Sequence, residues 1–107
     1  MPRRKLPNRR SSMSYTLEFQ SEKFDVTVGH YPDGKHGEVF LSRIKDKTAA
    51  RLGQHLDATA RDAAILISIA LQHNVELSNL SHSITRDDDN NPMSILGAVI
   101  DSMEDVK

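Results

Sequence analysis

The 107-residue sequence has no cysteine and no tryptophan, only 5% aromatic residues, and no long apolar run. Each shortage excludes something. Without cysteine there is no disulfide framework, no thiolate metal site and no thiol-based redox step. With so few aromatics, the core must be built from Leu, Ile, Val and Ala. The longest apolar run, residues 63–67, falls far short of the roughly 20 residues that span a membrane. The basic start is followed by Ser11, Ser12, Met13 and Ser14, where a signal peptide needs a hydrophobic stretch. The expectation is a cytoplasmic protein that makes no use of a membrane.

What is present begins with charge. Residues 1–10 hold Arg3, Arg4, Lys5, Arg9 and Arg10 and no acid, whereas the whole chain carries a net charge of −1. A basic arm therefore precedes an acidic body. Residues 1–14 are rich in Arg, Pro and Ser without apolar periodicity, and read as a flexible arm. Residues 15–107 are long enough for one domain with a single modest core.

Residues 15–19 alternate apolar and polar, as do Phe24, Val26 and Val28 with Asp25, Thr27 and Gly29, which is the period of half-buried strands. Pro32, Asp33 and Gly34 supply turn chemistry, and residues 38–44 give a third strand. The period then changes. Ala49, Leu52, Leu56, Ala60 and Ala63 share one face of a helix that begins near Asp46 or Thr48. Asp57 and Arg61 have the spacing of an i, i+4 ion pair on the opposite face. From residue 63 to 71 the helix is apolar on nearly every side, Ser68 apart, so a second face needs cover, from later helices or another subunit. Asn74 suits the left-handed position that ends a helix. Leu77, Leu80 and Ile84 predict a short second helix. Ile95, Leu96, Val99, Ile100 and Met103 predict a third, with Asn91 as its cap and Pro92 at its first position. The fold class is α+β: a small three-stranded antiparallel sheet packed against one long buried helix, with two shorter C-terminal helices. A homo-oligomer fits the two-sided helix.

Three segments, residues 31–41, 62–75 and 84–101, together resemble the TSCPD domain, a module appended to adenosylcobalamin-dependent ribonucleotide reductases. The resemblance extends over most of residues 3–103 and implies a place near deoxyribonucleotide metabolism, with a reductase subunit as a partner. Where reductase-linked members carry Ser-Cys-Pro-Asp, this chain has Ser94, Ile95, Leu96 and Gly97. Only the serine matches. The Lys-Ala-Gly segment common after the third strand is also altered, at residues 46–49. The chain resembles a free-standing branch of the family. Reductase chemistry requires cysteines for the thiyl radical and the reducing dithiol, so reductase activity is not expected of this polypeptide on its own, nor is a cofactor of its own.

The residues themselves offer candidate sites. Arg3, Arg4, Lys5, Arg9 and Arg10 are the candidate phosphate or nucleic-acid contacts; the bland alternative is a tail that docks on the acidic body. Asp87, Asp89 and Asn91 have the alternate spacing that opens a calcium loop, but Pro92 and Ala98 replace its glycine and its final glutamate. His30, His36 and Glu38 lie within cross-strand reach of one another, although no tight metal-ligand spacing accompanies them. No nucleophile elbow or phosphate-binding glycine loop is present. The leading expectation is a non-catalytic module that binds a nucleotide or a partner in DNA precursor metabolism. A small nucleic-acid-binding or regulatory protein that uses its basic arm is the alternative, and a structural oligomerisation module is the third reading.

Overall fold

A computed structural model of the chain describes residues 2–44 and 54–105, with backbone alone for 54–56. The expected helix start near Asp46 or Thr48, the face positions Ala49, Leu52 and Leu56, and the altered segment at 46–49 lie outside the described side chains.

Three strands form first in the chain: β1 (Ser12–Phe19), β2 (Glu22–His30) and β3 (His36–Arg43). They make one antiparallel sheet in the order β1-β2-β3. The strand β1 starts three residues before the alternation beginning at Tyr15, because Ser12, Met13 and Ser14 pair with Gly29, Val28 and Thr27. Backbone pairing needs no apolar side chain, so polar residues extend it unseen by periodicity. The β1–β2 turn has two central residues, Gln20 and Ser21, both left-handed (φ 50° and 67°). This is the twist-compatible hairpin geometry, built here without glycine or asparagine. Between β2 and β3, Gly34 takes the positive φ of 89°, its N–H bonds the Tyr31 carbonyl at 2.9 Å, and Asp33 Oδ1 accepts from the Lys35 N–H at 3.0 Å.

Three helices follow among the described residues: α1 (Gln54–Gln72), α2 (Leu77–Ser83) and α3 (Ile95–Asp105). The α+β class, the three-stranded sheet, the long helix on it and the two shorter C-terminal helices are as expected. The helix α1 lies over β3, while α3 flanks α1 and reaches β1. Phe24, Val26 and Val28 of β2 and Val39 and Leu41 of β3 meet Ala60, Ala64, Ile67 and Leu71 of α1 and Ile95, Val99, Ile100 and Met103 of α3. Each large aliphatic side chain buried there contributes roughly 1.5–3 kcal/mol of transfer free energy.

Two expectations about helix faces are corrected. Asp57 does not pair with Arg61 on an outer face; it is buried and accepts from Arg43 Nε of β3 at 2.7 Å. The buried stripe of α1 is Asp57, Ala60, Ala64, Ile67 and Leu71. A carboxylate joins it because a guanidinium waits on the facing strand, itself bonded to Glu22 at 3.3 Å. That pairing raises the Arg43 pKa, the hydrogen bond to Asp57 being the largest cause.

The start of α3 also differs. Asn91 is not its cap, and Pro92 sits in a short bridge with Arg86. The cap is Ser94, whose Oγ accepts the Gly97 N–H at 3.1 Å, three residues on, as an N-cap serine does. By contrast, Asn74 takes the left-handed φ of 65° beyond α1, as expected of a residue that ends a helix.

Candidate functional site

The open edge of β3 positions the N-terminal segment. An edge strand presents unpaired N–H and C=O groups, and here α1 covers them with two polar side chains one turn apart. Ser68 Oγ accepts the Val39 N–H at 2.9 Å, and Gln72 Nε2 donates to the Gly37 carbonyl at 2.9 Å. Gln72 is buried and holds the arm as well. Its backbone carbonyl accepts from the Arg4 N–H at 2.6 Å, and its Oε1 accepts from Arg3 Nε. Gly37 is the extra residue of a bulge, since His30 faces His36 while Gly29 faces Glu38. A Cβ there would meet Leu6 Cδ2 at 2.6 Å and Tyr31 Cε2 at 2.8 Å. Glycine thus lets the segment lie flat against the sheet.

Residues 3–10 cross this edge toward the β2–β3 turn. The Tyr31 hydroxyl donates to the Arg4 carbonyl at 2.7 Å. The Arg4 guanidinium carbon sits 3.8 Å from the centre of the Tyr31 ring, a cation–π distance, and Nη1 donates to Asp33 Oδ2 at 3.0 Å. The Lys35 N–H, first, and Arg4 hold the Asp33 carboxyl below the usual range, against a smaller opposing effect of burial. Arg10 grips Glu38 through Nε and Nη2, and its Nη1 donates to the Pro7 carbonyl at 2.7 Å. The Glu38 hydrogen bond raises the Arg10 pKa.

The five arm cations therefore divide. Arg3, Arg4 and Arg10 bind groups of their own domain, while Lys5 and Arg9 are exposed and bear no ion pair to the described residues. Beside Arg4 a small cleft of about 120 Å³ is lined by Arg4, Tyr31, Lys35, His36, Asn74 and Glu76 among others. That is several times the space a single water needs. Arg4, whose guanidinium already bonds Asp33, lines this cleft together with Lys35, the His36 imidazole and the Glu76 carboxylate. The His30 and His36 rings lie 5.0 Å apart across the hairpin. Glu38, the third of that set, is engaged by Arg10. Sequence reasoning put Arg4 among the phosphate contacts and missed Lys35, whose place beside Arg4 depends on the docked segment.

The remaining candidates separate from this site. Asp87 Oδ1 accepts the N–H groups of Asp89 and Asn91, both at 2.9 Å, so this carboxylate closes its own turn. Among the described residues no group of three or more His, Asp or Glu side chains is placed to hold a metal ion. Behind the turn, Arg86 binds both oxygens of Asp101 at 2.8 and 2.9 Å and the Ser81 carbonyl at 3.0 Å, joining α2 to α3. No helix of the described residues is long and apolar enough to cross a membrane.

Sequence comparison supplies the family. The chain is 32% identical over 83 residues to the vitamin B12-dependent ribonucleotide reductase of Agrobacterium fabrum. It is 32% identical over 77 residues to that of Rhodopirellula baltica, and 29% over 83 residues to that of Bradyrhizobium diazoefficiens. The chain is a small domain related to part of these reductases. The matches take in 71–78% of the chain but only 6–7% of each relative. Dependence on vitamin B12 and ribonucleotide reduction are named for those full-length proteins. No family model matches the chain, and no solved structure matches it. In this reductase-related domain Ser94 has a structural task as the cap of α3.

Proposed function

We propose that this domain is a non-catalytic binding module of deoxyribonucleotide metabolism, which takes the phosphate of a nucleotide in the cleft between Arg4, Lys35 and His36. The observation that carries the reading is the match to a small segment of three ribonucleotide reductases. A segment of that size, in a sequence without cysteine, is suited to binding and not to radical or dithiol chemistry. The cleft supports a phosphate as the ligand class. Tyr31 and Asp33 hold Arg4 in place, so a phosphate meets a preordered guanidinium through donors other than the one given to Asp33, with Lys35 beside it. Lys5 and Arg9 extend the positive surface beyond the cleft, toward further phosphates or the acidic surface of a reductase subunit. Nucleic-acid binding is the weaker reading, because Arg3 and Arg10 are engaged within the domain away from the cleft and leave few cations to follow a polyanion.

Calorimetric titration with ribo- and deoxyribonucleoside di- and triphosphates tests the proposal, with inorganic triphosphate and a single-stranded oligonucleotide as comparators. Saturable nucleotide binding that weakens at least about tenfold in Lys35→Ala is the expected result. No nucleotide binding at millimolar concentration, or binding indifferent to Lys35→Ala, refutes it. Salt-sensitive oligonucleotide binding without nucleotide binding transfers the function to the arm.

A further inference from the structure

The cover that α1 gives the β3 edge keeps a register, and the register has a gap. Gln72 serves Gly37 and Ser68 serves Val39, so four residues back along the helix match two residues forward along the strand. The two steps are nearly equal, about 6 Å and about 6.6 Å, and the next one brings Ala64 to Leu41. Alanine has no polar atom to offer. The Leu41 backbone nevertheless needs one. Residues of an antiparallel ladder alternate between bonding the neighbouring strand and facing away from it. Val39 faces away, toward Ser68. Ile44 instead gives its N–H to the Lys23 carbonyl of β2 at 2.8 Å, and the pairing between these two positions is regular. Leu41 thus faces away like Val39. Its N–H and C=O find no partner among the described residues, although Leu41 is only 4% exposed. Buried backbone groups are nearly always paired.

Leu41 lines a trough of about 510 Å³ between β3 and α1. Phe40 and Ile65 wall it and are 57% and 55% exposed. Arg61 and Arg3 also line it. From Arg61 to Gln72, which holds Arg3, the helix rises about 16 Å, the length of about five extended residues. The charge of this lining is positive and uncompensated. Arg61 makes no ion pair with the described residues, and Arg3 bonds the neutral amide of Gln72. The one acid, Glu38, is taken by Arg10. The complement of the trough is a chain with a backbone donor and acceptor at its middle, apolar side chains and acidic ends. An extended peptide combines all three, and its backbone supplies the pair that Ala64 lacks.

We propose that this trough takes an extended, acid-ended peptide of a partner protein, which adds to the β3 edge by pairing its backbone with Leu41 while its acidic ends meet Arg61 and Arg3. The trough shares no lining residue with the cleft beside Arg4, so peptide and nucleotide binding are separable properties. Only one backbone pair is open, and the association is correspondingly weak and reversible.

Fluorescence polarisation of the full chain with a labelled heptapeptide, Glu-Val-Thr-Val-Thr-Val-Glu, tests the proposal. Saturable binding below millimolar concentration is expected. It weakens at least about tenfold when lysines replace both glutamates, and at least about fivefold when the inner N–H groups of the peptide are methylated. Ala64→Ser adds a hydroxyl that caps Leu41 as Ser68 caps Val39, and it weakens binding to a similar extent. Arg61→Glu, at an exposed position, weakens it at least about threefold and serves in place of Ala64→Ser should that change lower the circular dichroism melt. Amide hydrogen exchange followed by NMR reads the edge without any ligand. The Leu41 N–H exchanges at least about tenfold faster than that of Val39, and the peptide slows it. No binding up to millimolar concentration, binding indifferent to N-methylation, to lysine ends or to Arg61→Glu, or a Leu41 amide as protected as that of Val39 each overturns the proposal.

Discussion

Ser68 was the one polar interruption in the apolar stretch of α1, and replacing it tests whether the helix really protects the sheet edge. The Val39 N–H is buried and gives its hydrogen to Ser68 Oγ at 2.9 Å. The Ser68 hydroxyl has one proton of its own, within reach of the Ala64 carbonyl at 2.9 Å and the Val39 carbonyl at 3.2 Å. Two effects oppose each other in Ser68→Ala. Alanine is the better helix former, by up to about 0.7 kcal/mol, and it frees the helix from the back-bond to Ala64. Against that, a buried amide loses its acceptor, which costs about 1–3 kcal/mol. The second effect is larger, so Ser68→Ala destabilises the domain by roughly 1–2 kcal/mol, read as a lower midpoint in urea at an unchanged slope. Ser68→Thr keeps the hydroxyl and loses much less. If Ser68→Ala is neutral or stabilising, helix propensity has won and the Val39 N–H does not depend on this side chain. A matching experiment on Gln72→Leu removes the donor to the Gly37 carbonyl and the acceptor for Arg3. It should both destabilise the domain and speed proteolytic removal of residues 2–10.

Further outcomes follow from other places in the fold. Ser21→Gly, at a φ of 67°, relieves a left-handed conformation and should stabilise the β1–β2 hairpin by about 1 kcal/mol, measured as a rise in Tm. Gly97→Ala puts a Cβ 2.6 Å from Ile84 Cδ1 and 2.8 Å from Pro92 Cβ; overpacking of this kind costs about 1–3 kcal/mol, and an unchanged urea midpoint would contradict the packing described. In acid, the Asp101 carboxyl is held below its ordinary value of 3.8, chiefly by the Arg86 hydrogen bond and against an opposing effect of burial. A depressed folded-state pKa stabilises the fold above the unfolded value, and that contribution is lost as pH falls through the folded value. Wild type should therefore lose stability below about pH 4 more steeply than Asp101→Asn, in urea titrations repeated at each pH.

How much was legible in the sequence depends on how local each signal is. The apolar alternation of Phe24, Val26 and Val28, the Pro32–Gly34 turn, and the cap at Asn74 are properties of a few neighbouring residues, and they read correctly. Asp57 misled because polarity assigns a carboxylate to the outside. Its partner Arg43 is 14 residues back, and no helical period can register a contact to a strand. The cap of α3 misled for a similar reason: Asn91 before Pro92 is a good local signal, but the bridge of Pro92 to Arg86 draws both into the preceding turn and leaves Ser94 to start the helix. At the site, composition marked the basic arm, including Arg4. It did not show that a glutamine at the end of α1 would seat the arm, nor that Lys35 would stand beside Arg4.

The docked segment changes what the arm's charge means. Five cations in ten residues suggest a surface offered to a polyanion. Yet Arg10 and Arg4 meet carboxylates of the same domain, and Arg3 meets Gln72. A cation already paired gains less from a phosphate, since the new contact must displace the old one. Lys35 and His36 belong to the hairpin and stay in place whether or not the segment is seated. If the cleft is the functional site, removing residues 2–10 should weaken nucleotide binding by the share that Arg4 contributes and leave a residual site around Lys35. If instead the arm acts alone, the same deletion abolishes binding and Lys35→Ala has no effect. Calorimetry on the deletion and on Lys35→Ala distinguishes the two, provided that the urea midpoint of each shows an intact fold.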